Sequence, residues 1–325
     1  MMFLSMKSFG RLIIGGMGFL YDYFRFIKFS GWKSNINDYK VRNYHTVKIY
    51  HALEKSMSYK HRDPGRGWES AFLLLDVIKK SDINGEVAFH NLAGVEILRE
   101  FIKLPVNEGT HKALQIKNEL NLLSFSKSYS VPGGIKSFSR NQFHTGKLDR
   151  PEDFFLSRFS LREFESKSVD LDVVRRAISL AIKAPSVCNR QPWHIYHTDN
   201  RSVIDCALRI QSGNSGFGHK VPNLAIITVD LKAFMPGNEH YQHWIEGGII
   251  SMSLIHAFHS LGVASCCLNW SQSPQNDIKL RSEISIQGEH TVIMMLAYGW
   301  PCKDNNVCIS VRKSTKEYET KMEMK

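Results

Sequence analysis

Long apolar runs, metal-spaced cysteines and internal repeats are all missing from this chain. Near the N-terminus the uncharged stretch from Leu12 to Tyr21 stops at Asp22. That is about half the ~20 residues a bilayer-spanning helix requires, so a span there is excluded. Lys7 and Arg11 precede the stretch as they would in a signal peptide. Tyr23, Phe24, Arg25, Phe26 and Ile27 follow it, however, where small cleavage-site residues would stand. No cysteine occurs before Cys188, and the six present (Cys188, Cys206, Cys266, Cys267, Cys302, Cys308) show no CxxC or Cys/His ligand spacing. No metal site is therefore expected. Adjacent Cys266 and Cys267 sit in an apolar run, where free cysteine packs as a small hydrophobe, which suits a reduced cytoplasmic protein.

What is present suits a globular protein of about two units. The chain has 325 residues, 43% of them hydrophobic and 11% aromatic, enough apolar material for a sizeable core. The formal charge of +11 is placed unevenly. Residues 1–150 hold 23 Lys+Arg and 13 Asp+Glu, a net +10, which leaves 19 and 18 for residues 151–325, a net +1. A basic solvated surface accounts for such an excess. As a partner field it favours anions, and a peripheral contact with an anionic membrane is the partner it admits. No nucleic-acid recognition module accompanies the charge, so nucleic acid is not expected. Phe19 to Trp32 mixes aromatics with Arg25 and Lys28 and reads either as an aromatic packing helix or as an interfacial one.

Residues 40–125 repeat apolar positions at helical spacing, as in Ala71, Leu74, Leu75 and Ile78, then Val87, Ala88, Leu92, Val95, Leu98, Phe101 and Ile102. Residues 1–125 thus read as a mainly helical basic region. The pattern dissolves over 126–153 into Ser, Gly, Lys and Asn with Pro132, Gly133 and Gly134 as breakers, a linker. From 154 to 325 helices and strands alternate. Asp170 is placed to cap a helix from Leu171 to about Lys183, and a strand is expected over Trp193 to His197. Leu224 to Val229 and Thr291 to Ala297 read as buried strands, with a long apolar helix between them from about His240 to Leu261, closed by Gly262. The fold class is α+β, in mixed α/β layers, behind a helical N-terminal region.

Three segments put polar groups where a buried α/β chain would not otherwise need them. Arg158, Ser160 and Arg162 alternate over five residues and suit a phosphate, since guanidinium offers a permanent charge and a bidentate fork. The segment Ala184-Pro185-Ser186-Val187-Cys188-Asn189-Arg190-Gln191-Pro192-Trp193 is held extended by its prolines and can aim amides and side chains at a flat heteroaromatic ligand. Leu261 to Trp270 carries the chain from a helix end into a strand that finishes at Leu268, Asn269 and Trp270, and a late basic pair, Arg312-Lys313, could close on a phosphate.

Taken in this order, the segments resemble the FMN-dependent nitroreductase superfamily over most of residues 155–315. That family opens with Arg-x-Ser-x-Arg, follows its first helix with Pro-Ser-x-x-Asn-x-Gln-Pro-Trp, and places a Gly- and Leu-rich helix before the pocket strand. Its opening often has a second arginine where this chain has Phe159. The resemblance implies that Arg158, Ser160 and Arg162 hold the FMN phosphate and ribityl chain, with Arg312 or Lys313 completing the phosphate site. It implies that Pro185, Ser186, Val187, Asn189 and Gln191 reach the flavin of a partner subunit, because the family's sites lie at a homodimer interface. Leu268 and Asn269 would border the isoalloxazine, and Asn214 in Gly213–Gly218 is a further candidate. NAD(P)H would be the donor and a small molecule the acceptor, with the chemistry in the cofactor, so that no catalytic triad or general base is expected.

Residues 47–78, with His51, Glu54 and Lys55 and the basic loop 61–68, resemble the helical extension of nitroreductase-like proteins associated with surface polysaccharide synthesis. That likeness admits another reading, a flavin-fold module that assembles or regulates polysaccharide machinery without turnover. His51, Glu54 and Lys55 share a helix face, an arrangement usual for solvated salt-bridged surfaces.

Overall fold

The computed structural model describes residues 6–59, 63, 65–125 and 131–324. His61, Arg62 and Pro64 of the basic loop and residues 126–130 of the expected linker lie outside them. Eleven α-helices follow in chain order: α1 (Met6–Phe29), α2 (Tyr39–Ser58), α3 (Trp68–Ile83), α4 (Phe89–Ile102), α5 (His111–Leu122), α6 (Arg140–His144), α7 (Pro151–Leu156), α8 (Leu171–Ala181), α9 (Arg201–Ile210), α10 (Gln242–Ser260) and α11 (Pro274–Glu283). Four strands form one sheet: β1 (Trp193–Thr198), β2 (Asn223–Asp230), β3 (Ala264–Asn269) and β4 (His290–Gly299). They lie in the order β1-β2-β4-β3, antiparallel throughout.

The sheet is covered on both faces, and its central strands show why. β2 is buried at every position. Leu224 and Ile226 enter the core shared with α9 and α11, while Ala225 and Ile227 enter the core under α8 and α10. Strand alternation sends successive side chains to opposite faces, so a strand buried on both sides must be apolar without interruption. β4 repeats the pattern, with Met295 and Ala297 on one side and Leu296 and Tyr298 on the other.

The helical region has its own core. Ala71, Leu74, Leu75 and Ile78 of α3 meet Val95, Leu98 and Phe101 of α4, together with Val47 and Leu53 of α2 and Ile116 of α5. α4 begins one residue after Ala88, whose backbone N–H is bonded by the Asn91 side chain at 2.9 Å. The His51 and Glu54 pair is 3.3 Å apart, and Glu54 also accepts from the Gly134 amide at 3.4 Å, so this face is engaged structurally. The expected cap at Asp170 is not made by its side chain. The carboxylate instead lies 3.8 Å from Lys167, and the backbone carbonyl of Asp170 accepts from Val173 and Val174.

The end of α1 and the start of α2 are pinned to the sheet. Asp38 caps α2 through the amides of Lys40 and Val41 and pairs with Lys232 at 2.6 Å. Lys40 pairs with Glu289 at 2.6 Å, and Tyr44 donates to Asp230 at 3.1 Å. Gly31 runs so close to this edge that a Cβ there would collide with the Lys232 carbonyl.

Candidate active site

The opening segment is set by the packing of α7. Phe154 and Phe155 lie against His259 and His256 of α10 with ring centroids 5.1 and 5.3 Å apart, and Ser157 Oγ is 3.0 Å from His259 Nε2. The chain then runs alongside β3. Ser160 bridges Ser265 in parallel, and Leu161 N donates to Ser265 O at 3.1 Å. Further on, Glu165 N donates to Trp300 O at 2.9 Å. In such an extended segment residues 158, 160 and 162 share one side, while Leu161 turns to the core. Among the described residues neither Arg158 nor Arg162 has a carboxylate partner. Arg162 Nη1 is 3.9 Å from Cys308 Sγ, which brings the C-terminal segment beside it.

β3 supplies the neighbouring wall. Cys266 and Leu268 are buried in the core, whereas Cys267 and Asn269 are exposed. Leu268 therefore borders the site through its backbone, and Cys267 is the side chain that shares a face with Asn269. The expected packing of both cysteines as small hydrophobes holds for Cys266 and not for Cys267, because strand alternation sends the second thiol to the open face with Asn269. Burial raises the Cys267 thiol pKa and Arg158 lowers it, which places the guanidinium within electrostatic reach of this strand. Sequence reading passed over His256. Burial lowers its pKa first, and Arg158 and His259 lower it further.

The segment after α8 forms a tight, self-bonded loop. Cys188, Asn189 and Gln191 all have positive φ, near 50°, a region that non-glycine residues enter at a cost. Tertiary bonds hold it there. Val187 N donates to Glu246 Oε1 of α10 at 2.6 Å, Gln191 N to Ser186 Oγ at 2.9 Å, and Gln191 Nε2 to Asn189 Oδ1 at 3.0 Å. The anchor is Arg190, 1% exposed, which donates to Glu239 at 2.8 and 2.7 Å and to Ala233 O at 2.6 Å. Pro185 is exposed beside it. Beneath the loop, Glu246 Oε2 and the Trp193 indole nitrogen are buried without a hydrogen-bond partner among the described residues.

The predicted residues thus fall into two groups. Arg158, Ser160 and Arg162 lie beside the start of β3, the strand that carries Leu268 and Asn269 at its far end. Pro185, Ser186, Val187, Asn189 and Gln191 form a second cluster whose bonds go to one another and to α10, not to the 158–162 segment. Asn214 spends its amide on Leu208 O, Gln211 O and Gln211 Oε1, at 2.7 to 3.0 Å, and connects to the site only through Gln211, which donates to Asn269 O at 2.9 Å. Arg312 is exposed and bonds its own neighbour, the Ser310 carbonyl. Among the described residues Asp230, Glu289 and His290 bring ligand atoms within 4.8 Å of one another. Lys40, Tyr44 and Tyr196 already engage all three, as an interface knot between α2 and the sheet.

Part of the chain is similar to known proteins. Residues 156–212 match the family model of the nitroreductase family. A protein of Archaeoglobus fulgidus, named as an NADH dehydrogenase/NAD(P)H nitroreductase, is 23% identical over 146 residues, covering 45% of this chain and 82% of its own. An FMN-dependent nitroreductase from Clostridium difficile R20291 is similar in structure, with a TM-score of 0.42 and 17% identity over 48% of this chain and 91% of that one. A nitroreductase with bound FMN from Bacteroides fragilis has a TM-score of 0.43 and 18% identity over 54% and 100%. The opening segment, the loop after α8 and the start of β1 fall within or beside the stretch that matches the nitroreductase family model, residues 156–212.

Proposed function

We propose that this chain is an FMN-dependent oxidoreductase of the nitroreductase type, with NAD(P)H as donor, a small molecule as acceptor and a homodimer as the working unit. The observation that carries the proposal is the pair Arg158 and Arg162, on one side of a segment docked to β3 with Ser160 between them, without carboxylates to neutralise them. Two uncompensated guanidinium groups and a hydroxyl fit a phosphate and its adjoining hydroxyls. When bound, FMN would supply the redox chemistry between NAD(P)H and the acceptor, in the two half-reactions of a ping-pong cycle.

The chain's own residues bind and orient. Arg158 and Arg162 hold the phosphate end, Asn269 and Cys267 face the ring from β3, and the β3 backbone at Leu268 supports it. The loop Pro185 to Gln191 is locked by Glu246 and Arg190, so it can present its polar groups to the site of a second copy. The outer faces of α8 and α10 suit that pairing. Leu180 and Ile182 at the end of α8 and Trp244, Ile245 and Met252 on α10 are exposed apolar residues, a contiguous type of surface that monomers rarely leave open.

The test is the visible absorption spectrum of the purified protein, before and after anaerobic NADH or NADPH. Oxidised-flavin bands that bleach on reduction are expected. A protein that stays colourless after incubation with FMN overturns the cofactor assignment.

A further inference from the structure

α1 docks on the domain through its last turns and leaves the rest of the helix outside. Arg11, Asp22 and Arg25 recur at spacings of 11 and 3, near whole turns, and so share one side. At the C-terminal end Tyr21 and Arg25 bond to the domain, while Asp22 is exposed. Tyr21 donates to Asp277 at 2.7 Å, and Arg25 donates to the carbonyls of Gly288 and His290 at 2.9 and 3.2 Å. Phe26 inserts into a core beside Val229 and Phe234, with Ile27 and Phe29 packed against it. The other side is left outside. Phe19 is 80% exposed, Phe24 64%, Leu12 62%, and Tyr23 and Leu20 more than half. The first turns project free of the body, since a Cβ on Gly10, Gly15, Gly16 or Gly18 would meet nothing within 4 Å.

Charge decides between the occupants this face could take. α1 holds four basic residues, Lys7, Arg11, Arg25 and Lys28, and one acid, Asp22. Residues 1–150 as a whole carry 23 basic and 13 acidic residues. A second copy would bring like charges together, whereas an anionic lipid surface attracts them and takes up the aromatic and aliphatic side chains. No described helix is long and apolar enough to cross a membrane, so the fit is to the headgroup boundary with the helix axis in the plane. We propose that α1 is an interfacial anchor that binds the protein to anionic lipid bilayers. Tyr23 and Phe24 insert as Tyr21, Arg25 and Phe26 hold the helix on the domain.

The test is co-sedimentation with vesicles of phosphatidylglycerol and phosphatidylcholine, against phosphatidylcholine alone. Wild type should pellet with the anionic vesicles, more than about tenfold better than with the neutral ones, and be released by high salt. The triple variant F19S/L20S/F24S, altered only at exposed positions, should stay in the supernatant with unchanged melting temperature. R11E, which leaves the apolar face whole, should bind less well. Wild type that ignores both vesicles overturns the proposal, as does a triple variant that pellets like wild type. A wild-type oligomer that the triple variant reduces in mass, without vesicle binding, shows that a second copy covers the face and also overturns it. Flavin content is read in the same samples and should not differ, which separates this outcome from that of the cofactor assignment.

Discussion

Arg158 and Arg162 sit beside the thiol-bearing strand and make no ion pair among the described residues, while other surface arginines, such as Arg201 and Arg209, are paired with Asp205 and Glu283. A charge-assisted hydrogen bond contributes about 1.5–3 kcal/mol. Replacing both arginines by alanine should therefore weaken FMN retention by roughly a hundredfold or more, with little change in melting temperature. Flavin titration by fluorescence quenching measures it, and an unchanged dissociation constant would remove these residues from the phosphate site. Arg190 is the opposite case, a buried guanidinium whose partners are already fixed. Arg190→Ala leaves Glu239 facing an empty position and should cost about 3–5 kcal/mol, lowering the melting temperature by roughly 6 °C or more. A melting temperature within a degree of wild type would deny the loop its anchor.

At the scale of elements, β3 separates packing from site on alternate residues. Cys266→Trp should overpack the core and destabilise by about 1–3 kcal/mol. Cys267→Trp should leave stability almost unchanged and abolish flavin retention, because its side chain lies over the site. Equal effects of the two variants on both readouts would contradict the strand's assignment. That alternation was legible in the sequence, as were the apolar stripes of α3 and α4, the buried runs of β2 and β4 and the glycine closing α10, because each depends on local periodicity or turn chemistry. The antiparallel order β1-β2-β4-β3 was not, since strand pairing depends on contacts distant in sequence. The Asp170 cap failed because a neighbouring ammonium, Lys167, competes for the carboxylate. Arg190 was read as one polar residue within a ligand loop, and its buried fork to Glu239 could not be seen without the tertiary fold. The positive φ values at Cys188, Asn189 and Gln191 were equally hidden, as no glycine marks them.

For the whole molecule, buried histidines set the response to acid. His90, His243 and His290 all have pKa values lowered to about 4, chiefly by burial, from an ordinary value of 6.5. His90 faces Tyr50 in the helical core, His243 stacks on Phe26, and His290 lies in the knot where α2 meets the sheet. The unfolded chain protonates these rings near their ordinary value, while the folded protein keeps them neutral until about pH 4. Across that window the unfolded state binds more protons, so stability falls as pH falls. Asp230 acts in the other direction. Burial raises its pKa to about 6, so its cost is full above that value and is relieved as pH falls toward 3.8. The lowered histidines, to which His194 and His256 add, outnumber the raised carboxylates Asp22 and Asp230. The melting temperature should therefore decline steadily from pH 7 to pH 4.5 by differential scanning fluorimetry, and a flat or rising profile would contradict the burial of these rings. His243→Phe isolates one of these sources. Its Nδ1 is buried without a partner among the described residues, between Phe26 and Phe234, so phenylalanine keeps the stacking, removes one titration, and should make the decline shallower without lowering stability at pH 7.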